Sequence, residues 1–452
     1  MEKIKPKILS GFMELLPGEQ LRFEAMAEKL RSVYSLYGFT PLDTPLIESS
    51  EILLAKGGGE TEKQIYRFTK GDNDLSIRFD LTVPLARFVA EHANELSFPF
   101  RRYQIGKVYR GERAQKGRFR EFYQADIDII GDGQLDIMNE AEIPSIIYRA
   151  FSSLGLNGFV IRINNRKILN GFFEIIGESD RAGDVMRIID KLEKIGQDAV
   201  KDMLSEAGVP ADRCNEIIGF ISTPTAIVPE VLRKNQGRNN VFDQGVGELL
   251  TVLDSMRSFG VPEENFAVDL TIARGLDYYT GTVYETIVTA HPEIGSVCSG
   301  GRYDNLAEYY TDRHLPGVGI SIGLTRLFYV LGEYGYFGNE RVLSPADVLI
   351  IPMTDEIQPA IGLATELRNR GIRTQLYTEQ KKFKAKIGYA DKLGIPFVIF
   401  LGEDEIRNGK VSLKNLRTGG QSSLTTDETA EEIAKFTECS ARSAIIKEPE
   451  RQ

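Results

Sequence analysis

The spacing of apolar residues divides the chain into stretches of different period. Leu21, Phe23, Met26, Leu30, Val33 and Leu36 recur at helical spacing, which predicts an amphipathic helix over 19–36 that stops at Tyr37 and Gly38. Residues 39–46 read as a strand. Residues 75–90 and 99–130 alternate with the period of two expected of strands, with a basic, glycine-containing loop at 113–118 between two of them. Helical spacing returns over 139–154, and 158–163 is strand-like. From about 170 to 255 the texture is helical with charged faces, as in DVMRIIDKLEKIG and VGELLTVLDSMRSFG, so a helical insertion interrupts the strand-rich part. Strand texture resumes at 266–272 and 283–288. Residues 300–304 read as a turn, and 317–331 as a strand feeding a helix. A Gly- and charge-rich segment over 336–345 marks a boundary. Beyond it, strands at 348–352, 373–376 and 397–401 alternate with helices at 359–370 and 383–393, the pattern of a small α/β domain with some parallel strands. The tail after about residue 438 is polar.

Composition narrows the class. At about 150 residues per domain, 452 residues make about two to four domains. A hydrophobic share of 42% and a charged share of 27% are those of a soluble globular chain. No apolar run approaches the ~20 residues of a membrane span, and the N-terminal residues lack the apolar stretch of a secretory signal. Cys214, Cys298 and Cys439 are far apart and form no CxxC, which favours a reducing, cytoplasmic setting over disulfides or structural zinc. His92, His291 and His314 are equally scattered, which disfavours a histidine metal site or a Ser-His-Asp triad. The net charge of −10 argues against a general polyanion-binding surface, but residues 101–121 hold eight Lys/Arg against two acids. That window reads as a local anion site, although a solvated edge strand would carry similar charges.

The densest chemistry lies in ARGLDYYTGTVYE, residues 273–285, with Arg274, Asp277, Tyr278 and Tyr279 between two glycines. Glycine lets backbone approach a ligand closely, and a guanidinium offers a fixed fork of donors to an anion. Arg110 in VYRGE and Arg326 in GISIGLTRLF supply two further arginines suited to a polyphosphate, whose developing charge they can stabilise without a proton transfer. No GxxxxGK[ST] is present, and Gly57, Gly58 and Gly59 lack the following Lys-Ser/Thr, so they read as a mobile loop.

These motifs, taken in order, resemble those of histidyl-tRNA synthetases, members of the class II aminoacyl-tRNA synthetases. Motif 1 is matched by Pro45 in DTPLIE, motif 2 by Tyr109-Arg110-Gly111-Glu112 followed by RAQKGRFREFYQ, and motif 3 by Gly317 to Arg326. The histidine-specific motifs are matched at 274–285 and 300–304. The likeness spans nearly the whole chain. It departs from the family at Ala114, where the loop often has proline, and at Cys298 and Ser299, where glycine is common.

The resemblance implies an α+β catalytic domain built on an antiparallel sheet over 1–335, with the helical insertion at about 170–255. A linker at 336–345, an α/β anticodon-binding domain at 346–438 and a tail at 439–452 follow. It implies a histidine–tRNA ligase that forms histidyl-adenylate from histidine and ATP with Mg²⁺, releases pyrophosphate and passes histidine to tRNA(His). The protein would be a cytoplasmic homodimer, with no zinc and no dedicated protein cage for a metal. Arg274 and Arg110 would be catalytic. Arg110 would hold the α-phosphate, Arg326 the γ-phosphate, Phe122 would stack on adenine, and Glu112 would lie near the adenine or its metal. Asp80, Thr82 and Gln124 would bind the α-amino group, Asp128 and Tyr279 the imidazole, with Tyr278 and Tyr303 closing the pocket. Arg113, Gln115, Lys116 and Arg118 would meet the tRNA acceptor end. The alternative is a non-catalytic, histidine-binding regulatory paralogue.

Overall fold

The computed structural model describes residues 3–55, 60–113, 117–273, 278–338, 342–441 and 445–446. They fall into two compact units, one of residues 1–13 and 27–334, the other of 14–26 and 335–452.

The first unit is built on an eight-stranded sheet of order β1-β5-β6-β11-β10-β9-β7-β8. Its strands are β1 (Thr40–Pro41), β5 (Phe100–Tyr109), β6 (Glu121–Ile130), β7 (Phe159–Asn165), β8 (Phe266–Val268), β9 (Thr282–Val288), β10 (Cys298–Tyr303) and β11 (Gly317–Gly323). The pairs from β5 through to β7 are antiparallel, and the edge strands β1 and β8 pair in parallel. A small sheet of β2 (Ile47–Ser49), β4 (Asn73–Ile77) and β3 (Arg67–Lys70) lies beside it in sequence. Between β7 and β8 run six α-helices: Arg166–Ile175, Ala182–Ile189, Leu192–Glu206, Ala211–Ile221, Val228–Asn235 and Asn240–Ser258. Stacked Phe172 and Phe220 rings, 3.9 Å apart, pack these helices together. Gly171 lets two of them cross closely, since a Cβ there would stand 2.4 Å from the Phe242 nitrogen.

Four segments differ from the sequence expectation. The predicted strand over 75–90 ends at Ile77, and Thr82–His92 is a helix. Asp80 Oδ1 accepts the Val83 N–H at 3.1 Å, supplying the helix start with a side-chain acceptor. Pro84 sits in the first turn, where its missing N–H costs nothing, and Val83, Ala86 and Val89 bury one face. The strand expected over 39–46 shrinks to Thr40–Pro41, because Pro41 and Pro45 remove ladder donors. β8 stops at Val268, where Asp269 Oδ1 takes the Thr271 N–H and hydroxyl into a local turn. Residues 300–304 are mostly strand, not turn. Gly300 and Gly301 serve there as flat positions, and a Cβ on Gly300 would lie 2.1 Å from the Gly319 carbonyl oxygen.

The second unit is a five-stranded sheet of order β13-β12-β14-β15-β16, from β12 (Val348–Pro352), β13 (Thr374–Leu376), β14 (Phe397–Leu401), β15 (Val411–Asn415) and β16 (Gln421–Leu424). β12 pairs in parallel with β13 and β14, and the last two strands add antiparallel. Val348 and Ile350 face a core shared with helices Gln358–Asn369 and Thr426–Ala441, while Leu349 and Ile351 face Ala390 of helix Phe383–Leu393. Burial on both faces explains why β12 reads as an unbroken apolar run. A largely antiparallel sheet with inserted helices, followed by a smaller α/β unit, is the architecture the resemblance implies.

Candidate active site

The floor of the site is the centre of the large sheet. Successive side chains on a strand alternate faces, so Gln124, Asp126 and Asp128 on β6 all point the same way. Across the ladders, Asp128 stands opposite Arg102 on β5 and Gly319 on β11, and Asp126 opposite Gln104 and Ser321. The glycines of β11 make room for this chemistry. A Cβ on Gly319 would fall 2.1 Å from Asp128 Oδ1, and one on Gly317 would fall 2.4 Å from the Tyr303 ring. In the space so left, the Tyr303 hydroxyl donates to Asp128 Oδ1 at 2.6 Å, and Arg102 Nη2 approaches Asp128 Oδ2 at 2.7 Å.

Above this floor lies a cavity of about 330 Å³. Asp80, Thr82, Gln124, Asp128, Tyr278, Tyr279 and Tyr303, the residues expected to contact histidine, all line it, and Arg110 joins them. They come from the start of helix Thr82–His92, from β6, from the segment before β9 and from β10. The tyrosines form an aromatic wall, with Tyr278 edge-on to Tyr279 at 4.9 Å and to Tyr303 at 5.8 Å. Leu85, Ile130 and Leu306 back the Tyr303 ring.

The cavity is rich in buried acid. Burial pushes the Asp80 carboxyl up to about 6, opposed by the Val83 N–H and by Arg110 and Arg102. Burial pushes Asp126 up to about 7, with Arg102 again opposing and Asp128 reinforcing. Asp128 is also raised by burial, against Arg102 and the Tyr303 hydroxyl. Burial raises the three phenols, so they serve as neutral donors and acceptors. Such a pocket suits a ligand that brings positive charge and N–H donors.

Of the residues expected to meet the nucleotide, Arg110 reaches the cavity, its Nε donating to the Phe79 carbonyl at 3.0 Å and its guanidinium lying 5.2 Å from the Phe122 ring centroid. Glu112, Phe122 and Arg326 are not among the residues described as lining the cavity. Arg326 Nη1 donates to Ser296 O at 2.9 Å, and Nη2 to Ile294 O. Glu112 lies 3.9 Å from Arg118, and Arg113 is exposed. Arg274, Gln115 and Lys116 lie outside the described residues, as do Ala114, Asp277 and Gly57 to Gly59.

Several residues of the site carry no distinguishing motif in the sequence. Arg102 was counted in the basic window, yet it is fully buried as the partner of Asp128. Arg101 pairs with Glu142, and Lys107 with Glu121 at 2.9 Å. Much of the window's charge is therefore spent on acids, some brought in by the fold from outside it. Ser321 and Glu285 line the cavity as well, and Glu285 is held by Arg162 at 2.9 Å on a guanidinium that also meets Asp269 at 3.0 Å and Glu193 at 2.5 Å. The alternation Gln124-Asp126-Asp128 already places Asp126 on the site face.

Comparison with known proteins bears on the family. A family profile described as "Histidyl-tRNA synthetase" matches residues 11–327, and one described as "Anticodon binding domain" matches 347–436. A histidine–tRNA ligase of Clostridium tetani is 58% identical over 94% of this chain and 97% of its own length. One of Clostridium acetobutylicum is 45% identical over 94% of this chain and 99% of its own. The crystal structure of histidyl-tRNA synthetase from Nostoc sp. PCC 7120 superposes with a TM-score of 0.88 at 40% identity, covering 96% of this chain and all of that one (100%). With a family profile over more than half of its length and relatives this similar across nearly all of it, the chain belongs to the histidyl-tRNA synthetase family.

Proposed function

We propose that this protein is a histidine–tRNA ligase that activates histidine with ATP, releasing pyrophosphate, and transfers the histidyl group from the adenylate to the 3′ end of tRNA(His). One observation carries the reading: residues from four separate segments, each expected to touch histidine, converge with Arg110 on one cavity. Imidazole offers a donor and an acceptor, and Asp128 with Tyr279 answers both. A side chain lacking those groups would leave buried Asp128 and Tyr279 unpaired, a penalty that can reject it by ~10⁴ or more. Asp80, Thr82 and Gln124 receive the α-ammonium.

Arg110 and Arg274 neutralise charge on the α-phosphate as the histidine carboxylate attacks in line, so positioning and electrostatics supply the rate. Arg326 takes the γ-phosphate, Phe122 stacks on adenine and Glu112 sits beside the nucleotide. Among the described residues no three His, Cys, Asp or Glu side chains stand together to hold an ion. Mg²⁺ would be held chiefly by ATP phosphates and water rather than by a protein cage, and would supply charge neutralisation at the phosphates. Arg113, Gln115, Lys116 and Arg118 meet the acceptor end, residues 346–438 read the anticodon loop, and the protein works as a homodimer in the cytoplasm. Among the described residues no helix is long and apolar enough to cross a membrane.

The test is ATP–pyrophosphate exchange with each amino acid in turn, comparing the native sequence with Arg274→Ala. Exchange that requires histidine and falls by about two decades in the variant, the loss expected of a charge-stabilising donor, supports the reading. Histidine binding without exchange would favour the regulatory paralogue instead.

A further inference from the structure

Resting on the ligase reading, we propose that Asp126 and Ser321 are positioning residues. They form a hydrogen-bond relay that fixes the Gln124 side-chain amide with its carbonyl oxygen toward the α-ammonium group of histidine. Gln124 lines the cavity and is 8% exposed. Its Nε2 donates to Ser321 Oγ at 2.5 Å, while its Oε1 is buried without a hydrogen-bond partner in the protein. A buried amide oxygen with no partner is costly unless a ligand completes it.

The direction of the amide is set from below. Ser321 has one hydroxyl proton, and if its oxygen accepts the Gln124 N–H, that proton must go elsewhere. Asp126 stands directly across the β6–β11 ladder from Ser321, its Oδ1 buried without a hydrogen-bond partner, and the Ser321 hydroxyl holds its carboxyl down toward the ionised form. In its ionised form, favoured by the Ser321 hydroxyl and opposed by burial, the Asp126 carboxylate only accepts, so there Ser321 donates to it and presents a lone pair to Gln124. The other cross-strand neighbour, Gln104, is occupied by Asp43 at 2.8 Å and by Thr44 at 3.4 Å. Asp126 is 1% exposed and is not among the residues lining the cavity, so it acts through Ser321 rather than on the substrate. Reversing the relay would turn the Gln124 NH₂ toward an ammonium group, donor against donor.

The experiment compares the native protein with Asp126→Asn, Ser321→Ala and Ser321→Thr. It reads the histidine KM and kcat of ATP–pyrophosphate exchange, and the inhibition constant of imidazolepropionate, which is histidine without its amino group. Asp126→Asn and Ser321→Ala are expected to raise the histidine KM by about 10- to 100-fold, the range for a hydrogen bond to a charged group. Imidazolepropionate should bind each variant as it binds the native protein, and Ser321→Thr, which keeps the hydroxyl, should retain most of the native KM. Equal weakening of histidine and imidazolepropionate would mean a loosened pocket and would overturn the relay, as would Ser321→Thr behaving like Ser321→Ala. Histidine-dependent exchange by the native protein tests the ligase reading itself. A native protein that exchanges normally, with variants that keep its histidine KM, therefore overturns the relay alone.

Discussion

Replacing Tyr303 by phenylalanine removes one oxygen from the floor of the cavity and leaves the ring in its bed of Leu85, Ile130 and Leu306. What is lost is the 2.6 Å bond to Asp128 Oδ1, while the Arg102 contact at 2.7 Å remains. That hydroxyl favours the ionised carboxylate, and burial disfavours it. The variant therefore pushes Asp128 further up and frees its rotamer. A hydrogen bond to a charged group is worth about 1.5–3 kcal/mol. At about 1.4 kcal/mol per decade, the histidine KM should rise by about 10- to 100-fold. The ATP KM should stay within about two-fold, because the role proposed for Tyr303 is toward the imidazole and not the nucleotide. Fold stability should drop by about 1–3 kcal/mol, the cost of a buried acceptor left without its donor. Histidine-dependent ATP–pyrophosphate exchange measures the first two quantities, and urea unfolding followed by circular dichroism measures the third. A folded Tyr303→Phe protein with a native histidine KM would refute the assignment of Asp128 as the imidazole acceptor.

Three further outcomes follow from the same geometry. Burial holds Asp126 up to about 7 against a usual 3.8, so its neutral form stabilises the unliganded fold below about pH 4, and that contribution is lost as pH rises through about 7. The native protein should melt progressively lower relative to Asp126→Asn between pH 5 and 8 in scanning calorimetry, and a difference that runs the other way would contradict the burial argument. Gly319→Ala places a methyl 2.1 Å from Asp128 Oδ1 and 2.5 Å from the Ile127 carbonyl oxygen, so the carboxylate must leave Arg102. Breaking that buried pair should cost about 3–5 kcal/mol in urea unfolding, and histidine-dependent exchange should nearly vanish. Arg162→Met removes the guanidinium 2.9 Å from Glu285 and should destabilise the fold by about 3 kcal/mol, while adding Glu285→Gln should return part of it in a double-mutant cycle.

The chemistry of the site was more legible in the sequence than some of the elements that carry it. Asp80 and Thr82 were picked out by their motif, yet the stretch around them reads as strand. Val83, Leu85 and Val89 satisfy a period of two, Val83, Ala86 and Val89 a helical stripe, and the Asp80 acceptor for the Val83 N–H that decides the matter is a side-chain contact. The same ambiguity made Gly300–Gly301 look like a turn. Glycine marks tight bends and close approaches alike, and here Gly300 approaches β11 and Gly301 approaches β9. Arg102 was hidden for a different reason. Its partner Asp128 lies 26 positions away in the chain, so charge counted along a window could not show that the cation was already neutralised inside the protein. β16 carries little hydrophobic signal because it is a short, exposed edge strand, and in β15 only Val411 and Leu413 alternate inward among polar residues.

The absent side chains of Gly317 and Gly319 have a consequence for how this protein can vary. The hollow that receives the ligand is moulded by two missing carbon atoms, and every other genetically encoded residue would restore one of them. A lineage drifting toward a different amino acid could not widen or reshape this hollow by small steps along β11, since the first step would already eject the acid or the phenol that defines the fit. Change would have to begin with Asp128 or Tyr303, and only then could the strand beneath them accept a side chain. If the cavity holds the substrate as proposed, its identity is in this sense locked from below, by backbone positions whose lack of a side chain sets where Asp128 and Tyr303 stand.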